Sequence, residues 1–134
     1  MEQVVIDYLQ SNATTDKLKQ AIKDVQDEFM NTEGWGEEPD TSIKKFIIKK
    51  EDLLKLCRDT ISGQLEPEDL HRIAVVINNS KYFELPPWID GGVVLEMVLE
   101  DWEYTKDEFP ITVENVKNRW KIFLELGKHG PHYP

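Results

Sequence analysis

Apolar residues recur at helical spacing along most of this chain. Leu18, Ala21, Ile22, Val25 and Phe29 fall at i, i+3, i+4, i+7 and i+11, one stripe of a helix over residues 15–30. Thr14 or Thr15 can cap it, because a hydroxyl satisfies an orphan backbone N–H. A shorter helix precedes it, with Val4, Val5, Tyr8 and Leu9 on one face. Residues 31–41 hold two glycines, a proline and four acids, which predicts an exposed loop pinned by Trp35. The apolar run Phe46, Ile47, Ile48 lies in a segment, 43–49, open to either a strand or a helical first turn. The reading favours a short extended lead-in to a helix starting near Lys50. Leu53, Leu54, Leu56, Cys57 and Ile61 form the buried face of that helix, and Gly63 ends it.

Pro67 suits the first position of the next helix, with Leu65 and Leu70 spaced as a hydrophobic staple and Leu70, Ile73, Ala74 and Ile77 inward, down to Asn79. Pro86 and Pro87 forbid a helix through residues 85–88. Asp90 can cap a further helix reaching about Tyr104. Its residues Val93, Val94, Leu95, Met97, Val98, Leu99 and Trp102 nearly encircle it, so it is expected to be central. After Pro110, Thr112 can cap a last helix, with Ile111 and Val116 as staple and Val113, Val116, Trp120, Phe123 and Leu124 inward. No useful length alternates as a half-buried strand does. The expectation is all-α: a compact bundle of about six helices over residues 1–128, one domain with one short extended segment near 43–49 and a frayed tail at 129–134.

Composition narrows the function classes. The 134 residues are 40% hydrophobic, enough for a core without disulfide or metal. One cysteine, Cys57, cannot form an internal disulfide, and a reducing cytoplasm fits it best. No apolar run reaches the roughly 18 residues a membrane span needs, and no signal peptide is evident. The formal net charge is −10, the wrong sign for gripping nucleic acid or an anionic membrane.

That charge is polarised. Residues 24–40 carry seven acids and no Lys or Arg; residues 84–108 carry eight acids against Lys106. Each block stands at −7, leaving +4 for the rest. Glu96, Glu100 and Glu103 lie at i, i+4 and i+7, on the one face that the apolar residues of the central helix leave open. Like charges at i, i+4 cost a helix about 0.2–0.5 kcal/mol per pair. Such a surface is either an ordinary solvated face or one that a basic partner reads, since an acidic field speeds encounter with a basic surface and repels wrong ones. The candidate partner-binding residues are therefore Glu96, Glu100, Asp101, Glu103, Asp107 and Glu108 in the second block, and Glu33, Trp35, Glu37, Glu38 and Asp40 in the first. Trp35, Tyr82, Trp88 and Tyr104 lie near acids and can serve as anchors.

Catalytic and metal motifs are sparse. Glu68 and His71 match half of a carboxylate di-metal motif, but no second copy exists. His129 and His132 in the tail cannot make a four-ligand site by themselves. Cys57 sits on an apolar stripe with Leu53 and Ile61 and reads as a core residue. Gly34, Trp35 and Gly36 lack the Lys and Ser/Thr of a phosphate loop; Gly91 and Gly92 open a helix between acids, which disfavours an anion there. Lys44, Lys45, Lys49 and Lys50 form a small basic set read as a solvated face. No cofactor and no catalytic residue is assigned.

Residues 61–70, with a helix end, a Gly turn and a Pro-Glu restart before Leu70, together with Trp102, Glu103, Asp107 and Glu108, resemble the small acidic helical immunity proteins of the colicin D and contact-dependent growth inhibition type. The likeness covers about residues 50–126. It implies a non-catalytic bacterial antitoxin that binds a basic toxin domain, a nuclease above all, through its acidic blocks. The rival readings are a regulatory or adaptor module that binds protein by a helical face, and an enzyme or carboxylate-type metal-binding helical domain using Glu68, His71 and the clustered carboxylates.

Overall fold

The computed structural model describes residues 2–25, 45–105 and 109–126. Among these the chain forms six helices and one two-residue strand pair. Helix α1 is Glu2–Leu9 and α2 is Thr15–Ile22; strand β1, Phe46–Ile47, leads into α3, Lys50–Ile61. Helix α4, Pro67–Asn79, is followed by β2, Phe83–Glu84, a 3-10 turn Trp88–Asp90 and α5, Gly92–Glu103. The last helix, α6, opens as Val113–Asn115, widens into a π segment Val116–Trp120 and ends as Lys121–Leu126. The all-α expectation with a short extended segment near 43–49 holds.

The helix starts follow local chemistry. Thr14 accepts the Lys17 N–H at 3.1 Å and Thr112 accepts the Asn115 N–H at 3.0 Å, each satisfying an orphan donor. Helices α3 and α4 instead use a carboxylate reaching back: Asp52 accepts from the Lys49 N–H at 2.8 Å, and Asp69 from the Glu66 N–H at 2.9 Å. Pro67 stands at the start of α4, and Leu65 and Leu70 are both buried, as the staple requires. Gly63 ends α3 at φ +89°, a conformation that costs other residues Cβ strain.

Packing then sets the layout. Helix α4 lies against α5, α3 against the last helix, and α1 against α2. The centre holds Trp102 and Trp120, both fully buried, edge to face at 6.2 Å. Leu18, Leu53, Leu56, Leu70, Ile73 and Leu99 complete it. The strands pair in parallel, Phe46 opposite Phe83 and Ile47 opposite Glu84, tying the entry to α3 to the exit of α4.

Four expectations are corrected. Helix α2 stops at Ile22; the Val25 N–H turns back to the Ile22 carbonyl at 3.0 Å, a tight turn that buries Val25 without continuing the helix. Gly91, at φ +95°, caps α5 in place of Asp90, which ends the preceding 3-10 turn. Val113 is exposed, because the inward face of the last helix begins at Val116. Glu103 is 7% exposed and leaves the solvated face on which its spacing put it. The loop at 31–41, Phe29 and the tail at 129–134 lie outside the described residues.

Candidate functional site

Helix α5 turns Val94, Leu95, Val98, Leu99 and Trp102 into the core. Its polar residues divide into two sets. Glu100 is exposed, and Glu96 is partly exposed and accepts the Trp88 indole N–H at 2.9 Å. Asp101 and Glu103 are committed inward. Asp101 accepts the Trp120 indole N–H at 3.1 Å, satisfying a donor that burial would otherwise strand. Glu103 takes Asn78 Nδ2 at 2.8 Å on one oxygen and Asn79 Nδ2 at 3.1 Å on the other, clamping α5 to the end of α4. Beside it, the Glu103 charge above all, with burial and a hydrogen bond to the same carboxylate, pushes the Tyr104 phenol up from its ordinary value. Of the eleven candidate partner-binding residues, the structure thus presents Glu96 and Glu100 outward and uses Asp101 and Glu103 internally. Asp107, Glu108, Glu33, Trp35, Glu37, Glu38 and Asp40 lie outside the described residues.

The turn before α5 presents Trp88, one of the anchor candidates read from the sequence, and adds Ile89, which the sequence reading did not single out. Trp88 is 67% exposed and Ile89 92% exposed, the two most exposed large apolar side chains described. The turn is held on both sides. The Asp90 N–H and the Gly92 N–H both donate to the Pro87 carbonyl, at 2.9 and 3.0 Å, and the Gly91 N–H donates to the Trp88 carbonyl at 3.2 Å. Gly92 packs so closely on Pro86 that a methyl group there would drive into the Pro86 carbonyl oxygen. The available signal was an apolar pair between a Pro-Pro and a Gly-Gly, on no helical stripe.

Two hollows flank these elements. One of about 950 Å³ is bordered by Glu66, Glu68, His71, Glu103, Tyr104 and Ile111. Glu68 there pairs with Arg72 at 3.0 Å, and His71 Nδ1 lies 3.0 Å from the Trp102 carbonyl, whose only role is acceptor. Among the described residues no group of three His, Cys, Asp or Glu is placed to hold a metal ion. The other hollow, about 470 Å³, sets Asp90 and Glu51 against Lys49 and Lys50.

Cys57 is fully buried, and burial pushes its thiol up to about 12, with Lys121 and Arg58 opposing weakly. It stays protonated and inert at neutral pH. An aromatic disulfide reagent at pH 8 should therefore leave the native protein unmodified over an hour and titrate one thiol once guanidinium unfolds it; rapid labelling of native protein would contradict this placement.

No family model, no curated protein and no solved structure matches this chain. Among the described residues no helix is long and apolar enough to cross a membrane.

Proposed function

We propose that this chain is a non-catalytic immunity-type inhibitor that binds a basic toxin domain, a nuclease in the first instance, in the bacterial cytoplasm. The observation that carries the reading is the outer surface of the Trp88–Asp90 turn and α5. There Glu100 is exposed, Glu96 is partly exposed and bonded to the exposed Trp88, Ile89 follows Trp88 on the same turn, and no Lys or Arg occurs from residue 84 to residue 105. Toxins that cut nucleic acid carry basic clefts, since they must neutralise phosphate. An acidic face accelerates encounter with such a cleft, and desolvated aromatic anchors supply the affinity. Inhibition then needs no chemistry from this chain: occupying the cleft excludes the substrate.

An immunity gene should directly follow the gene of the toxin it neutralises. The test is co-expression with the cytotoxic domain encoded immediately upstream. Growth should be restored by at least a hundredfold in viable count, and the two chains should copurify. An absence of any such toxin gene, or a toxin that kills equally with and without this chain, overturns the proposal.

A further inference from the structure

We propose that Trp88 and Ile89 are the anchors of the docking surface, and that Trp88 receives an arginine side chain of a basic protein partner while Ile89 enters an apolar hollow beside it. The inference rests on the inhibitor reading for its partner, and deepens it by naming the two anchors and the partner chemistry each receives.

Three observations converge. The first is exposure on a turn whose backbone is hydrogen-bonded in place. A side chain as exposed as Ile89 gains nothing for the fold, yet its turn is fixed by three backbone hydrogen bonds, two prolines and the Gly92–Pro86 approach. A rigid display lowers the ordering cost of binding. The second is the orientation of the indole. Its N–H is spent on Glu96 at 2.9 Å, which fixes one edge of the ring and leaves 67% of the side chain in solvent. The third is charge. Glu96 lies at the ring edge and Glu100 one turn further along α5, exposed. A guanidinium over an indole face is attracted by the ring quadrupole, and a carboxylate at the ring edge adds to the attraction and selects for a cation. Asp90, by contrast, shares its hollow with Lys49 and Lys50, so the cationic partner is steered toward the α5 side of the turn.

The occupant is thus a protein surface that carries arginine next to an apolar depression. A second copy of this chain joined through the same face is a poorer fit, because it would oppose two acidic surfaces with no Lys or Arg between residues 84 and 105 to pair with them.

The test places a photo-crosslinking amino acid at Ile89, and at exposed Asp16 as control, in the organism that encodes the chain. The expected adduct at Ile89 joins a foreign chain at a segment containing arginine and an apolar residue, absent from the control. With that chain purified, Trp88→Ala and Ile89→Ala should each weaken binding by tenfold or more. Glu96→Gln keeps an oxygen for the indole N–H but removes the charge, and should weaken binding at low salt more than at high salt. Matched thermal melts of all three variants keep folding out of the comparison. An adduct to a second copy, an adduct to an acidic or arginine-free segment, no adduct, or unchanged affinity of both alanine variants overturns the proposal. The two readings fail separately. A basic partner that is no toxin removes the inhibitor reading and leaves the anchors standing. A toxin bound equally well by Trp88→Ala and Ile89→Ala removes the anchors and leaves the inhibitor reading.

Discussion

Replacing Glu103 with alanine should destabilise the protein by about 2–4 kcal/mol, roughly a 5–15 °C fall in Tm, although the residue belongs to a run of acids that reads as a solvated face. Glu103 is 7% exposed and receives one amide N–H on each carboxylate oxygen, from Asn78 and Asn79. Hydrogen bonds to a charged acceptor contribute about 1.5–3 kcal/mol each, and removal of the acceptor strands donors that packing shields from water. The loss is held below the simple sum because both amides keep a second acceptor: Asn78 also donates to the Leu99 carbonyl at 3.2 Å and Asn79 to the Val75 carbonyl at 2.8 Å. Glu103→Gln should fall between the parent and Glu103→Ala, since its amide oxygen still accepts from one asparagine while its amide nitrogen faces the other asparagine donor with a donor of its own. Glu103→Lys should be worst, placing a cation against two N–H groups. Equilibrium denaturation of the three variants checks the order. A Glu103→Ala variant within about 0.5 kcal/mol of the parent, the usual range for a surface substitution, would show that the clamp between α4 and α5 is absent in solution.

This residue marks where sequence stops being sufficient. Helix ends are local events, and so were legible: Thr14 and Thr112 as caps, Pro67 as a first residue, Gly63 as a stop, and the Leu65–Leu70 staple all depend on neighbours within a few positions. The apolar stripes of α3, α4 and the last helix likewise named their own buried faces. The face of α5 that Glu96, Glu100 and Glu103 share by periodicity is also local, but what covers its far end is not. The end of α4 crosses there, and only two adjacent asparagines, 78 and 79, hinted that donors were waiting for an acceptor. The same limit hid Ile89. Its neighbours Pro87 and Gly91 announced a turn, but a turn residue can face inward or outward, and the choice is made by where Gly92 docks on Pro86. Asp90 was the better cap by composition, yet the left-handed backbone at Gly91 decides the start of α5.

The second large effect is on association. Glu96→Lys with Glu100→Lys changes the charge of the outer α5 surface by four units without touching the core, since Glu100 is exposed and Glu96 bonds only outward to Trp88. At low ionic strength the Debye length exceeds about 10 Å, so both charges act on an approaching basic surface before contact. Steering of this kind raises on-rates by about 10- to 1,000-fold, and its reversal should lower the on-rate by a comparable factor. The same charge change made as Asp16→Lys with Glu114→Lys, on other helices, alters net charge equally but lies off this face.

Recognition through the acidic face of α5 is tested most directly by stopped-flow association of the cognate toxin domain with the parent chain and with both double variants, across a series of salt concentrations. If the acidic face of α5 steers the partner, the Glu96 and Glu100 reversal slows association at least tenfold at low salt, the deficit shrinks as salt rises, and the Asp16 and Glu114 control stays within about threefold of the parent. Equal on-rates for the two double variants at low salt would contradict it, because the acidic face of α5 would then contribute no more to recognition than net charge alone.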